Sequence, residues 1–432
     1  MKLPAYPRTK PSGVEWLGDV PEHWDTRKFS REVMIAEGQV DPEKEPYLSM
    51  MLVGPEHVES GTGRLLAKVT AVEQAAQSGK YYCRQGDVVY SKIRPALRKL
   101  VIAPEDCLCS ADMYPLRARE RFQNEFIYWL FLSQSFAAWS VLESDRVAMP
   151  KINRDTLNEL RMPVPPLAEQ RSIAAFLDRE TGRVDRLVAK KRELIERLKE
   201  KRTALISRTV TRGLPPAAAR AAGLPANPPL KPSTLDWLGD IPAHWNIVPL
   251  RYAFYNLDHR RIPVAGEDRA TVEKIYPYYG ASGIIDHVED YLFDETLILV
   301  AEDGANLLSR STPLAFLATG KYWVNNHAHI LKPVEGDIRY WAAVLQTYDY
   351  TPLVTGAAQP KLTSDRLGSI RLPMPPPDEQ AAIAAYLDEE TAKLDALVGK
   401  VEEAVERLQE YRTALITAAV TGKIDVREGV AP

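Results

Sequence analysis

Apolar residues along the chain keep two rhythms. From Val184 onward, Val184, Leu187, Lys191, Leu194, Leu198, Lys201 and Leu205 follow at alternating spacings of three and four. The same rhythm returns 210 residues later in Leu394, Leu397, Val401, Ala404, Leu408, Tyr411 and Leu415. Such spacing keeps one stripe of an α-helix apolar and predicts a heptad seam on two long helices. Each run is short of Gly and Pro over about 25 residues, enough for a helix of roughly 40 Å. The lysines at seam positions cost stability but fix register and orientation. Two such helices in one chain are expected to pack antiparallel about an internal pseudo-twofold axis. Elsewhere the rhythm shortens to two. "GDVVYSKI" (86–93), "DETLILVAEDGANLL" (294–308) and "HAHILKP" (327–333) read as strands broken by Gly, Pro and Asn turns. Helical patches near 124–142 and 337–350 follow them. Each block of this kind is expected to be an α+β globule.

The chain also repeats itself. "PSGVEWLGDVPEHW" (11–24) and "PSTLDWLGDIPAHW" (232–245) agree at nine of fourteen positions. "EQRSIAAFLDRETGRVDRLV" (169–188) and "EQAAIAAYLDEETAKLDALV" (379–398) agree at twelve of twenty. "RTALI" recurs at 202–206 and 412–416, and "MPKINRDTLNELRMPVPP" (149–166) lines up with "QPKLTSDRLGSIRLPMPP" (359–376). Each half therefore has an opening motif, a variable block and a closing motif that leads into a long helix. The variable blocks, roughly 25–148 and 246–358, show almost no mutual similarity. A Pro/Ala-rich stretch at 213–233 reads as a semi-rigid linker rather than a packed element.

Composition narrows the chemistry. The 432 residues are 45% hydrophobic and 26% charged, as in globular proteins. No apolar run approaches the ~20 residues of a membrane span. The N-terminal stretch carries no signal-peptide core, so a cytoplasmic protein is the default expectation. Three cysteines (Cys83, Cys107, Cys109) do not make a disulfide framework, and their spacing does not suit a zinc knuckle. His327 and His329 would share one face of a strand, without a third ligand close in sequence. No P-loop, nucleophile elbow or metalloprotease motif occurs. "NPPL" (227–230) lacks the aromatic that would stack on a flipped-out base, and sits in the linker. The net charge of −3 argues mildly against nucleic acid as a partner. Against that stands a local cluster, "RQGDVVYSKIRPALRK" (84–99), with five basic residues and one Asp. Its plain reading is a solvated face. Two unlike globules on a rigid spacer suit the reading of two half-sites with a gap between them. A coiled-coil scaffold without a DNA role is the alternative.

The doubled "WLGD(V/I)P(E/A)HW", the "PPLAEQRSIAAFLD" and "PPPDEQAAIAAYLD" segments and the "RTALI…VTG" helix ends resemble the specificity (S) subunit of type I restriction-modification systems, over essentially the whole chain. Within the blocks, "GDVVYSKIRPALRK", "YPYYGASGIID" (276–286), "LILVAEDGANL" and "VNNHAHIL" resemble motifs of recognition domains in that family. The resemblance implies an α+β fold, with two α/β-mixed target recognition domains separated by two long helices in an antiparallel coiled coil. It divides the chain into a first recognition domain (1–165), a first spacer helix (166–212), a linker (213–231), a second recognition domain (232–375) and a second spacer helix (376–425). It implies a non-catalytic subunit that binds double-stranded DNA, each domain reading half of an asymmetric bipartite site. Two modification subunits would dock on the helices and use S-adenosylmethionine for adenine-N6 methylation. Restriction subunits would add translocation and cleavage with ATP and Mg. No cofactor or metal is expected on this chain. For DNA contact, the expected residues in the first block are Lys92, Arg94, Arg98 and Lys99, with Lys151 in the closing loop. In the second they are Tyr278, Tyr279, Ser282, Asn306 and Lys361, with core packing beside a glycine turn as the alternative for the tyrosines and a plain strand-end turn as that for "DGAN". Lys and Arg would neutralise phosphate, and Arg also suits a guanine edge.

Overall fold

The computed structural model describes residues 4–144, 150–271, 273–303, 306–356 and 360–427. Met149, Gly304, Ala305 and Gln359, which belong to motifs quoted above, lie outside them. The chain forms two compact units, Met1–Arg192 with Glu402–Pro432, and Glu193–Val401.

The two helices expected from the heptads are Leu167–Arg212, here α1, and Pro377–Val420, here α2. Each unit holds half of each helix. In the first unit Ile173 and Leu177 join a core with Leu415, Ile416 and Val420, while Val184 and Val188 pack with Val405 and Leu408. Rising numbers on α1 meet falling numbers on α2, so the pair is antiparallel. In the second unit Leu205, Ile206 and Val210 share a core with Ile383, Ala384 and Leu387. The repeat also places one ion pair twice: Asp185 with Arg412 at 2.9 Å, and Asp395 with Arg202 at 2.9 Å.

The seam itself is shifted from the expected frame. Val184, Leu198, Val401 and Leu415 are buried, and Leu205, Leu394 and Leu408 are half-buried. Leu187, Leu194 and Leu397 are instead exposed, at 44%, 41% and 44%. Their C-terminal neighbours Val188 and Ile195 are buried and Val398 half-buried. The true stripe runs 184, 188, 191, 195, 198, 202, 205, and by the repeat 394, 398, 401, 405, 408, 412, 415. Arg202 and Arg412, not Lys201 and Tyr411, take the polar seam positions. Neighbouring helical residues point about 100° apart. A doublet such as Leu187-Val188 or Leu194-Ile195 therefore offers two frames of equal apolarity.

The repeated motifs clamp each globule to a helix end. In the first unit the strand Asp25–Lys28, directly after Trp24, pairs antiparallel with Arg161–Val164, directly before α1. In the second, Asn246–Pro249 pairs with Arg371–Met374 in the same register. The Glu of each "EQ" sits in the first helical turn, where a carboxylate suits the helix dipole. Glu169 accepts from the Tyr6 hydroxyl (2.5 Å), His23 Nε2 (2.8 Å) and Trp24 Nε1 (3.1 Å). Glu379 accepts from His244 Nε2 at 2.7 Å. The glutamines that follow each bind the prolyl carbonyl ahead of the helix, Gln170 to Pro165 and Gln380 to Pro375. Gly422, just past α2, is left-handed at φ +72°, and a Cβ there would fall 2.2 Å from Pro21. The opening motif of the first unit thus packs on the start of one helix and the end of the other.

Between the clamps the two variable blocks build a first sheet of one strand order from unrelated sequences, while their second sheets are connected differently. In the first unit an antiparallel sheet runs Val33–Ile35, Met113–Ala118, Val88–Ser91, Leu100–Ile102. In the second it runs Phe254–Asn256, Ala328–Pro333, Leu297–Ala301, Ala315–Ala318, in the same order of first, last and middle strands. A second four-stranded sheet in each unit contains one parallel pair, Leu52–Val53 with Cys107–Cys109 and Tyr276–Gly280 with Lys321–Val324. Helices Asn124–Leu132 and Gln134–Leu142, and in the second unit Ile338–Thr347, bury aromatic residues against the first sheets. The α+β class and the antiparallel helices follow the sequence expectation. The Pro/Ala-rich stretch does not: it folds a helix, Pro216–Ala221, with Ala219 buried and Leu214 against the core. Its two consecutive prolines suit a first helical turn, where no N–H is needed.

Candidate nucleic-acid interface

The basic run of the first unit divides in two. Val88–Ser91 ends in a loop where the short helix Pro95–Leu97 is flanked by Arg94 and Arg98, both left-handed at φ 47°. That conformation is rare for non-glycine residues and turns the chain sharply at both ends. On the near side Arg94 is exposed, and its N–H donates to Pro150 at 2.7 Å. Ile93 forms a bridge with Lys151, and Ile152 N–H donates to the Lys92 carbonyl at 2.9 Å. Lys92, Arg94 and Lys151 therefore stand together, with the Lys92 ammonium 5.2 Å from the centre of the Tyr114 ring. Arg98 and Lys99 bond to the protein's own backbone. Arg98 is half-buried and donates to the Leu132 carbonyl, and burial holds its pKa below the usual guanidinium value. Lys99 donates to the Pro55 carbonyl at 2.7 Å. Both are half-buried and help hold the loop in place.

Arg154, which no sequence motif marks, lies across the Tyr114 ring, its guanidinium 5.4 Å from the ring centre. It donates to the carbonyls of Ile35 and Ala36 and pairs with Glu37 at 3.1 Å. Beyond it the sheet carries Arg117, held by Asp87 through two bonds of 2.7 and 2.6 Å, and exposed Arg119. Asp87 is 2% exposed, and its bond to Arg117 is the largest influence raising that guanidinium's pKa.

The second unit differs. Tyr278 is 1% exposed, its hydroxyl accepts from Val264 N–H at 3.0 Å, and Arg269 covers its ring. It is a core residue, so the expected base contact is corrected. Tyr279 is half-buried between Phe316 and Tyr322, and burial pushes its hydroxyl pKa up. Ser282 is exposed at the hairpin turn between Tyr276–Gly280 and Gly283–Val288, beside exposed Ile284 and Ile285. Asn306 spends its amide on its own loop, accepting from Thr312 N–H at 2.9 Å and donating to Thr312 O at 3.2 Å. Lys361 occupies the place of Lys151, with its backbone bridged to Asp303, but its ammonium pairs with Glu302 at 3.1 Å. Asn306 thus ties its own loop, while Lys361 is exposed with its ammonium paired to Glu302.

Lys361 belongs to a charge network. Glu302 accepts from Arg261, which also approaches Asp258 at 3.6 Å. His329 is 1% exposed and lies between Asp258 (2.6 Å) and the Leu362 carbonyl (2.8 Å). Burial works against both carboxylates; for Glu302 the Arg261 bond, His329 and Lys361 outweigh it, and for Asp258 chiefly His329. Both are held below the usual range. Asp258, Glu302 and His329 form the one metal-type grouping among the described residues, and Arg261 and Lys361 already answer its negative charge. His327 lies in a turn ahead of the strand and bonds to Asp303, so the two rings do not share a face as alternation suggested. Cys83, Cys107 and Cys109 are buried free thiols, with Cys83 opposite Cys107 in the ladder.

A repeated frame, carrying two globules that share the order of their first sheet but differ in surface chemistry, defines an internally duplicated protein. The model of the type I restriction modification DNA specificity domain matches residues 22–197 and 254–407. The chain belongs to this family. It is 35% identical over 157 residues to the type I restriction enzyme EcoDI specificity subunit of Escherichia coli, a match covering 36% of this chain and 34% of that one. A putative specificity subunit of Haemophilus influenzae is 37% identical over 117 residues, 27% of this chain and 30% of its own. These matches span only about a third of each relative. The putative MjaX specificity subunit of Methanocaldococcus jannaschii is 23% identical over 449 residues, covering 95% of this chain and 96% of its own. Among solved structures, a chain from work on complex assembly and conformational transition of the type I R-M system superposes with a TM-score of 0.71 at 18% identity, covering 94% of this chain and 99% of its own. The HsdS subunit from Thermoanaerobacter tengcongensis gives 0.50 at 20%, covering 94% and 98%. At these identities the structures speak for the fold. No described helix is long and apolar enough to cross a membrane.

Proposed function

We propose that the chain is the DNA-specificity subunit of a type I restriction-modification complex and works in the cytoplasm. In this reading the segments 1–165 and 232–375 are target recognition domains, each reading one half of an asymmetric bipartite site. The helices, within 166–212 and 376–425, set the gap and dock two modification subunits, and restriction subunits join through these. Methylation with S-adenosylmethionine and ATP- and Mg-dependent cleavage belong to those partners. The observation that carries the reading is the contrast within the repeat: the frame residues recur, while the surfaces between them do not. Of the residues expected at the DNA, Arg94, Lys151, Ser282 and Lys361 are exposed, and Lys92 and Tyr279 are half-buried. Co-expression with the modification subunit, followed by mapping of N6-methyladenine, is expected to return one asymmetric, gapped motif. Exchange of residues 246–358 for those of a relative should change one half only. A motif unchanged in both halves would remove the second reading head.

A further inference from the structure

The sheet face beside Tyr114 opens into a cleft of about 620 Å³ lined by Arg84, Arg117, Arg119 and Arg154, with Met34 and Tyr82 on its walls. Four guanidiniums in one concave site repel each other unless an anion joins them. Two are already anchored: Arg117 by buried Asp87, and Arg154 by two carbonyls, Glu37 and the Tyr114 ring. Arg84 and Arg119 are exposed, and among the described residues no carboxylate lies within ion-pair distance of either side chain. Among the described residues Glu37, 82% exposed at its side chain, is the one acid lining the cleft; Asp106, which accepts from the Tyr82 hydroxyl, also feels the charges of Arg84 and Arg117 from the rim. The same strand pair in the second unit has no such excess, because Lys332 and Arg260 both face Glu295, at 2.7 and 3.6 Å.

We propose that this cleft is a phosphate seat, taking consecutive phosphates of one DNA strand beside the half-site read by the first head. The proposal rests on the DNA-specificity reading above. Planar guanidiniums match phosphate oxygens in pairs, and two pre-anchored arginines form a floor on which Arg84 and Arg119 close. Lys92 and Arg94 continue the positive surface past Tyr114. Phosphate contacts position a protein without carrying sequence information. The seat therefore contributes grip and register, not base choice.

The test uses the chain assembled with its modification subunits and two duplexes, one bearing its methylated motif and one scrambled. For Arg84→Ala with Arg119→Ala, affinity is expected to fall about tenfold per arginine on both duplexes. The slope of log affinity against log salt should become shallower by about 2. The mapped methylation motif should stay the same. The paired lysine variant, Arg84→Lys with Arg119→Lys, should keep the slope and so separates loss of charge from loss of fold. Unchanged affinity and slope in the alanine variant, with wild type binding normally, would overturn the seat and leave the specificity reading intact. A loss confined to the specific duplex would also overturn it, in favour of base reading. A wild-type complex that holds neither duplex would overturn the underlying reading together with the seat.

Discussion

Arg412 and Arg202 occupy the same position in the repeat and make the same ion pair, yet they have different surroundings. Arg412 is 6% exposed; besides Asp185 it donates to the carbonyls of Gly61 and Thr62 and lies over Trp129. Arg202 and Asp395 are 42% and 55% exposed at their side chains, with no further partner for Arg202 among the described residues. Arg412→Ala strands two carbonyls and is expected to cost about 2–4 kcal/mol. Arg202→Ala should cost under about 1 kcal/mol. Urea unfolding of the two variants checks the contrast, and equal costs would deny Arg412 its role in seating the first globule. Glu302 gives a second prediction. Its folded pKa is depressed, so it adds stability above the ordinary carboxylate range that is lost as pH falls below about 4. Glu302→Gln leaves Arg261 and Lys361 short of an acid. Its melting temperature should lie well below wild type at neutral pH and converge on it in acid. A constant difference between pH 7 and 3 would show that charge is not what Glu302 contributes. Much of this was hidden in the sequence, which lists charges but not the path of the backbone. In the run 84–99, two left-handed arginines turn the chain, so that Arg94 is exposed while Arg98 and Lys99 bond to backbone carbonyls. Tyr278 looked available beside a glycine turn, but the strand ladder puts it on the inner face.

At the scale of elements, the long helices and the clamps were legible because they are written twice. The seam frame was not, because each ambiguous doublet offers two apolar residues and only the opposing helix decides between them. Ile195 and Leu194 form such a doublet, 8% and 41% exposed. Leu194→Gln should change stability by no more than about 0.5 kcal/mol, whereas Ile195→Gln buries an amide and removes an apolar contact, a loss of roughly 2–4 kcal/mol. Thermal melting of the pair settles the frame, and a larger loss at Leu194 would restore the one first expected. The strand order shared by the first sheets of the two blocks was equally out of reach. Strand order depends on alternation and on which edges are covered, and two sequences satisfy both without sharing residues.

For the whole molecule, the proposed reading makes the helices a spacer, and the heptad dictates how a spacer can be lengthened. Seven residues inserted into α1 and seven into α2 at matched seam positions preserve the apolar stripe. They extend each helix by about 10 Å at 1.5 Å per residue. DNA rises about 3.4 Å per base pair along each strand, so the gap between half-sites should widen by roughly three base pairs. Both half-sites should stay as they were, since no residue of either globule changes. An insertion in α1 alone would set its stripe against an unmatched partner and should lower stability without yielding a new spacing. Methylation mapping of cells carrying each version with its modification subunit reads all of these outcomes. A wider gap with intact halves assigns spacing to the helices and sequence to the globules. An unchanged gap, with the protein folded and active, would mean that something other than helix length fixes the distance.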